Sequence, residues 1–147
     1  MRVCFVGLGS IGKRHIKNLK VVANELGVDV EIDALRTSST LLPPDVAPLI
    51  SKSVNSIEAL KDKYDVVFIT NPTSKHYDTL KSFIGRTKNA FIEKPLFSST
   101  KYNWQDIAWH PNGTYHVASP LRWNPVIQYL KLHIAEIEPV SLRCICS

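Results

Sequence analysis

The period of the apolar positions changes several times along the chain, and each change marks an element. Residues 2–6 form a compact β-branched and aromatic run that ends in glycines. From Ile11 to Leu26 the apolar residues Ile16, Leu19, Val22, Ala23 and Leu26 recur at helical spacing, which predicts strand, tight turn and helix. Gly27 supplies a stop for that helix, and 28–35 alternates weakly as a second strand does, completing one βαβ unit. Residues 37–53 hold Pro43, Pro44 and Pro48 among serines and threonines, so they read as a loop with at most one short helix. A short helix is expected at 56–60. The run 66–70 is apolar on both faces, as a central parallel strand is, and Asn71-Pro72 stops it. A helix at about 74–84, strands at 90–93 and 115–119, and a helix at 125–134 follow. Strand and helix alternate throughout, which predicts an α/β fold with a doubly wound parallel sheet.

The 147 residues, 44% hydrophobic and 21% charged, suit one globular domain that buries about 70% of its unfolded surface, and they exclude disordered and collagen-like classes. The longest strand-like apolar run, 66–70, is far below the ~18 residues of a membrane-spanning helix, so a soluble chain with no membrane partner is expected. The first six residues resemble the start of a signal peptide only until Gly7-Leu8-Gly9, and no export signal is read. Cys4, Cys144 and Cys146 are odd in number, and Cys144-x-Cys146 is too short a loop for an ordinary disulfide. That pattern argues for a reducing compartment, with the cytoplasm as the expected location.

The formal charge of +5 raises nucleic acid as a partner. Lys13, Arg14, Lys17 and Lys20 share the first helix, but Lys61, Lys63, Lys81, Arg86 and Lys88 are scattered, so the basic residues read as solvated surface and no nucleic acid is expected. Cys144 and Cys146, preceded by His133, lack a second pair at ligand spacing, so no metal site is read.

Gly7-Leu8-Gly9-Ser10-Ile11-Gly12 matches G-x-G-x-x-G directly after a predicted strand and at the opening of an amphipathic helix. In that context Gly7 permits the tight turn, Gly9 lets the backbone approach a pyrophosphate, and Gly12 lets helix and strand pack closely. The helix N-terminus then offers free N–H groups and a positive dipole end to phosphate. Fold and ligand together predict a Rossmann-type dinucleotide-binding domain over 1–138. The end of the second strand bears on the cofactor. A carboxylate there favours NAD, whereas a 2′-phosphate needs a cation and hydroxyl donors. The segment reads Ala34-Leu35-Arg36-Thr37-Ser38, so NADP(H) is the preferred reading, with Arg36 on the 2′-phosphate and Thr37 and Ser38 as auxiliary donors. Asp33 keeps NAD(H) open: if the strand ends three residues earlier, it becomes a ribose-binding carboxylate.

Four segments occur in the order found in the Gfo/Idh/MocA family of sugar and polyol dehydrogenases: Gly7 to Gly12 with Arg14-His15, Asp65 to Pro72 with His76, Glu93-Lys94-Pro95, and Arg122-Trp123-Asn124-Pro125. The chain resembles the N-terminal, nucleotide-binding half of that family over nearly all its length. The resemblance implies that Thr70, Asn71 and Pro72 lie past the carboxyl end of a central strand against the cofactor, with His76 lining the same crevice. A solvent-facing His76 at a helix start is the bland alternative. The resemblance also implies that Lys94, after Glu93, lies in the active site, positions substrate and assists proton transfer, and that Pro95 follows a cis peptide bond. By the same comparison Glu93, Lys94 and Arg122 belong with the cofactor-binding residues and Arg122 reaches toward substrate, while Trp123 reads as a packing residue.

Two departures stand out. Residues 97–104 hold few helix formers, so the element after the lysine should be short. The family's second half, which carries a catalytic histidine and usually an aspartate, is not contained in 147 residues. The alternating segment 141–146 reads as the first strand of that truncated substrate or oligomerisation domain, begun at 139–147. The expected function is an NAD(P)-dependent oxidoreductase of a sugar, polyol or related substrate, a homo-oligomer when intact, with this part alone catalytically incomplete. A non-catalytic NADP(H)-binding regulatory module is the alternative.

Overall fold

The computed structural model of the protein describes residues 1–133. Six parallel strands, β1 (Arg2–Val6), β2 (Glu31–Leu35), β3 (Lys52–Val54), β4 (Val66–Ile69), β5 (Asn89–Ile92) and β6 (Thr114–Val117), form one sheet in the order β3-β2-β1-β4-β5-β6. The described helices are α1 (Ser10–Glu25), α2 (His76–Phe83) and α3 (Pro125–His133). The chain starts at the centre of the sheet, winds outward through β2 and β3, then returns to wind the other way through β4, β5 and β6. The strand order therefore reverses between β1 and β4, the place where open α/β sheets leave a crevice.

Side-chain alternation explains how one sheet carries two cores. Val3 and Phe5 of β1 face α1 with Ile16, Ala23, Ile32 and Val46, while Cys4 and Val6 face α2 with Val67, Ile69, Leu80 and Phe83. Val3, Cys4 and Phe5 are all fully buried, as a central strand covered on both faces requires. On the α1 face, Phe5, Phe68, Phe91 and His116 are register partners across four strands. Their rings follow one another at centroid distances of 4.4, 5.2 and 5.5 Å. Such neighbours add stability beyond the area they bury. Gly27, at φ +64°, ends the turn after α1.

Several elements differ from the sequence reading. β2 begins at Glu31 rather than at 28, because the chain is still tied to α1 by the Val28 N–H on the Ala23 carbonyl. β3 falls within and just past the segment read as a loop. It is three residues long at the sheet edge and pairs only with β2, so it carries no two-faced apolar pattern. Residues 56–60 form turns, not a helix. Ile57 and Leu60 are drawn into the α2-side core, and the Lys52 ammonium takes the Ala59 carbonyl at 2.6 Å. The helix expected at 74–84 is a 3-10 turn, Thr73–Lys75, followed by α2. No α-helix occurs at 96–113, only the 3-10 turn Trp104–Asp106, in keeping with the scarcity of helix formers there. Trp123, read as a packing residue, is 72% exposed. The strand expected at 141–146 lies outside the described residues.

Candidate functional site

Register sets the site. Val6 pairs with Leu35 and Ile69, Ile69 with Ile92, and Ile92 with Val117, so five strands finish in one line. Each next residue continues the ladder: Gly7 N–H donates to the Leu35 carbonyl at 2.9 Å, Thr70 N–H to Val6 at 2.9 Å, and Glu93 N–H to Ile69 at 2.9 Å. Arg36, Gly7, Thr70 and Glu93 thus emerge side by side on the carboxyl edge, although the sequence scatters them.

The glycine turn is built as its spacing predicts. Gly7 has φ +86°, and a Cβ there would lie 2.6 Å from Asn71 Cα. At Gly12 a Cβ would meet the Gly7 carbonyl oxygen at 2.6 Å and Thr70 Oγ1 at 2.7 Å, so α1 sits against the turn only because no side chain intervenes. Thr70 Oγ1 closes the contact by donating to the Gly7 carbonyl at 2.6 Å. Gly9 is different: a Cβ there would meet no protein atom within 4 Å. It borders open space in front of α1. The helix has no side-chain cap at Gly9 and no acidic residue in its first turn. Its leading N–H groups, those of Ser10, Ile11 and Gly12, are left for an anion.

An open cleft of about 610 Å³ lies before this turn, lined by Gly7, Gly9, Arg36, Thr37, Ser38, Thr70, Asn71 and Pro72 among others. Eight residues singled out in the sequence therefore meet on one surface. Asn71 Nδ2 donates to Thr79 Oγ1 at 2.8 Å, and Asn71 Oδ1 is buried without a hydrogen-bond partner among the described residues. An unpartnered carbonyl oxygen at a cleft is suited to a hydroxyl donor such as a ribose. These features fit a dinucleotide. The sequence reading missed Leu8, Lys13, Thr40, Leu41, Leu42 and Pro43, which complete the lining. Lys13 looked like any solvated helix cation; only its place directly after the last glycine pointed to the cleft.

Asp33 is not part of this surface. Strand β2 runs on to Leu35, and Asp33 pairs in register with Cys4, 1% exposed, with Tyr64 Oη donating to its Oδ2 at 2.8 Å. Its carboxylate serves the core on the α2 side and does not reach a ribose in the cleft. His76 is also buried and lines no part of the cleft, nor does it face solvent. Its Nε2 lies 3.0 Å from the Asn71 carbonyl and its Nδ1 3.1 Å from those of Pro95 and Leu96, so the ring bolts the turn after β4 to the turn after β5. Glu93 and Lys94 stand beyond the cleft on the same edge. Lys94 is exposed, its N–H on Glu93 Oε2 at 3.2 Å, and the Lys94–Pro95 bond is cis. Arg122 is exposed in the 3-10 turn Pro120–Trp123 and does not line the cleft. Pro125 opens α3, whose first N–H groups are capped by Asn124 Oδ1.

Residues 1–108 match the sequence profile of an oxidoreductase family with an NAD-binding Rossmann fold, the Gfo/Idh/MocA family. The chain belongs to that family. A comparison with curated proteins gives no match. Among solved structures, myo-inositol 2-dehydrogenase from Lactobacillus plantarum is similar with TM-score 0.70 and 22% identity, over 92% of this chain and 41% of that one. Scyllo-inositol dehydrogenase from Lactobacillus casei, solved with NAD(H) and scyllo-inositol, gives 0.66 and 21%, over 92% and 41%. The WlbA dehydrogenase from Chromobacterium violaceum, solved with NADH and UDP-GlcNAcA, gives 0.67 and 22%, over 92% and 40%. This Gfo/Idh/MocA chain thus spans about two fifths of the length of these neighbours. Among the described residues no helix is long and apolar enough to cross a membrane, and no cluster of ligating side chains suits a metal.

Proposed function

We propose that the chain is the dinucleotide-binding part of an NAD(P)-dependent oxidoreductase acting on a sugar, polyol or related hydroxyl or carbonyl compound, with NADP(H) preferred. The single observation that carries the preference is the cleft lining itself: Arg36 stands at the end of β2, and among the described residues no carboxylate shares the cleft with it. Among the described residues the Arg36 guanidinium is engaged only through Nη2, which donates to the Thr40 carbonyl at 2.5 Å, so its other donors remain for a 2′-phosphate. Thr37 and Ser38 add hydroxyls beside it. The neighbours solved with NAD(H) or NADH support dinucleotide chemistry in general and not this preference.

When bound, the dinucleotide supplies a nicotinamide that takes or gives hydride. The protein's part is to seat and orient it. The N–H groups of α1 and the close-packed glycine turn receive the pyrophosphate, and Asn71 Oδ1 accepts from a ribose hydroxyl. Lys94, exposed at the carboxyl end of β5, holds the substrate oxygen by a charge-assisted hydrogen bond and takes part in moving its proton. A sugar-like substrate is supported by the inositol and UDP-sugar neighbours.

Calorimetric titration with NADPH and with NADH tests the reading. Saturable binding that favours NADPH, with Arg36→Ala weakening NADPH about tenfold or more and leaving NADH nearly unchanged, is the expected result. Binding of neither dinucleotide overturns the reading, and a preference for NADH overturns its cofactor assignment.

A further inference from the structure

We propose that Lys13 is the second cation of a two-sided 2′-phosphate clamp, closing on that phosphate from α1 while Arg36 closes on it from the end of β2. The inference rests on the NADP(H) reading above and adds a specificity-determining residue to it.

Three observations carry it. Lys13 lines the same cleft as Arg36, Thr37, Ser38 and Thr40, so the two cations address one space from two elements. Next, the other lysines of α1 are committed. Lys17 is ion-paired with Asp45, and Lys20 donates to the Val30 carbonyl at 2.5 Å. Lys13 is half-buried and makes no hydrogen bond or ion pair with any described residue; it adds to the field that, after the Lys17 hydrogen bond, lowers the pKa of Asp45. A lysine can lay its stem along a surface and keep its charged head free, and an ammonium with unspent donors at a cleft is placed to take an anion that enters it. Last, among the described residues no aspartate or glutamate lines the cleft to neutralise either charge. Lys13 also borders the neighbouring groove along α1, where the carboxylate, Asp45, is ion-paired with Lys17.

The residues that share the cleft with Lys13 include Thr40, Leu41, Leu42 and Pro43, the loop that follows Arg36. That loop is an apolar wall suited to an adenine face, with Leu41 92% exposed. The same cleft also holds Gly7 and Gly9, so a 2′-phosphate role for Lys13 and a pyrophosphate role are told apart by the ligands titrated.

The test is calorimetric titration of the whole protein and of Lys13→Met and Lys13→Arg with NADPH, NADH, adenosine 2′,5′-bisphosphate and adenosine 5′-monophosphate. Circular dichroism melts confirm that each variant is folded. Lys13→Met should weaken NADPH and the bisphosphate about tenfold or more and leave NADH and the monophosphate within about twofold, with Lys13→Arg restoring most of the loss. If Lys13→Met weakens NADH as much as NADPH, the lysine serves the pyrophosphate and the clamp is wrong. If NADPH is preferred and Lys13→Met changes nothing, Arg36 acts alone and the clamp is wrong while the cofactor reading stands. If the unaltered protein binds neither dinucleotide or prefers NADH, both fall together.

Discussion

His15 Nε2 and Glu93 Oε1 lie 2.7 Å apart, joining the helix that opens on the glycine turn to the turn that carries Lys94. The pair is mostly withdrawn from water, with the two side chains 21% and 15% exposed. The other oxygen of Glu93 accepts from the Lys94 N–H, and the His15 ring meets Phe91 edge-on at 5.1 Å. The glycine turn and Lys94 are thereby mechanically linked across the carboxyl edge.

Removing one partner of this pair should cost more than a surface contact does. His15→Ala leaves a largely buried carboxylate oxygen without its donor and opens space beside Phe91. A loss of about 1–3 kcal/mol in urea unfolding is expected. A loss below about 0.5 kcal/mol would place His15 among ordinary surface residues.

Two glycines of one motif should respond in opposite ways to alanine. At Gly12 the new methyl lands 2.6 Å from the Gly7 carbonyl and must push α1 off the turn, at a cost of about 1–3 kcal/mol in stability. Gly9 has φ −68° and open space before it, so Gly9→Ala should change stability by less than about 1 kcal/mol. Its methyl would nevertheless stand where the proposed site seats the pyrophosphate, and dinucleotide affinity should fall about tenfold or more. Denaturant melts and titrations of the two variants separate these effects. A Gly9→Ala protein that binds normally would remove the phosphate from that position.

The Tyr64 hydroxyl is the hydrogen-bond donor seen on buried Asp33, while Asp33 Oδ1 has no partner among the described residues. Tyr64→Phe should therefore leave the buried carboxylate without this hydrogen bond, facing the Lys61 ammonium at 4.0 Å, and cost about 1–3 kcal/mol. Tyr64→Phe combined with Asp33→Val should recover part of that loss, because both polar partners leave together. A double variant no better than the single one would show that packing, not the hydrogen bond, sets the cost.

What the sequence revealed, and what it hid, divides by range. Gly7, Gly9 and Gly12 act within one turn, so their spacing was enough, and the period of β1, α1 and β4 was legible because each has a face fixed by burial. Arg36 could be placed because Leu35 ends β2. The Asp33 alternative required knowing strand parity: a residue beside Cys4 on the α2 face is withdrawn from the edge, and nothing local says so. His15 and Glu93 are 78 residues apart and meet only through the sheet. Residues 52–54 form a strand only because β2 offers an open edge. Lys13 was hidden for another reason, since a half-buried cleft lysine and a solvated one have the same letter and the same helical position.

Cys4 gives the alkaline behaviour of the fold. Burial, aided by the nearby Asp33 charge, pushes its thiol from the ordinary 9.0 up to about 12. Tyr64 is also shifted upward, first by burial and then by its hydrogen bond to Asp33. Between pH 9 and 12 the unfolded chain has released the Cys4 proton while the folded chain retains it, so raising the pH favours unfolding. The contribution of Cys4 is intact below pH 9 and falls by up to about 1.4 kcal/mol per pH unit above it, until the folded thiol itself ionises. Urea midpoints should therefore be level from pH 7 to 8.5 and decline beyond, and Cys4→Val should flatten part of that decline. In the native protein at pH 8 Cys4 should resist iodoacetamide and become alkylated once urea is added, as peptide mapping would read out. Rapid alkylation of Cys4 in the native state would mean that β1 opens locally, and the central strand would then not be the rigid support on which the glycine turn depends.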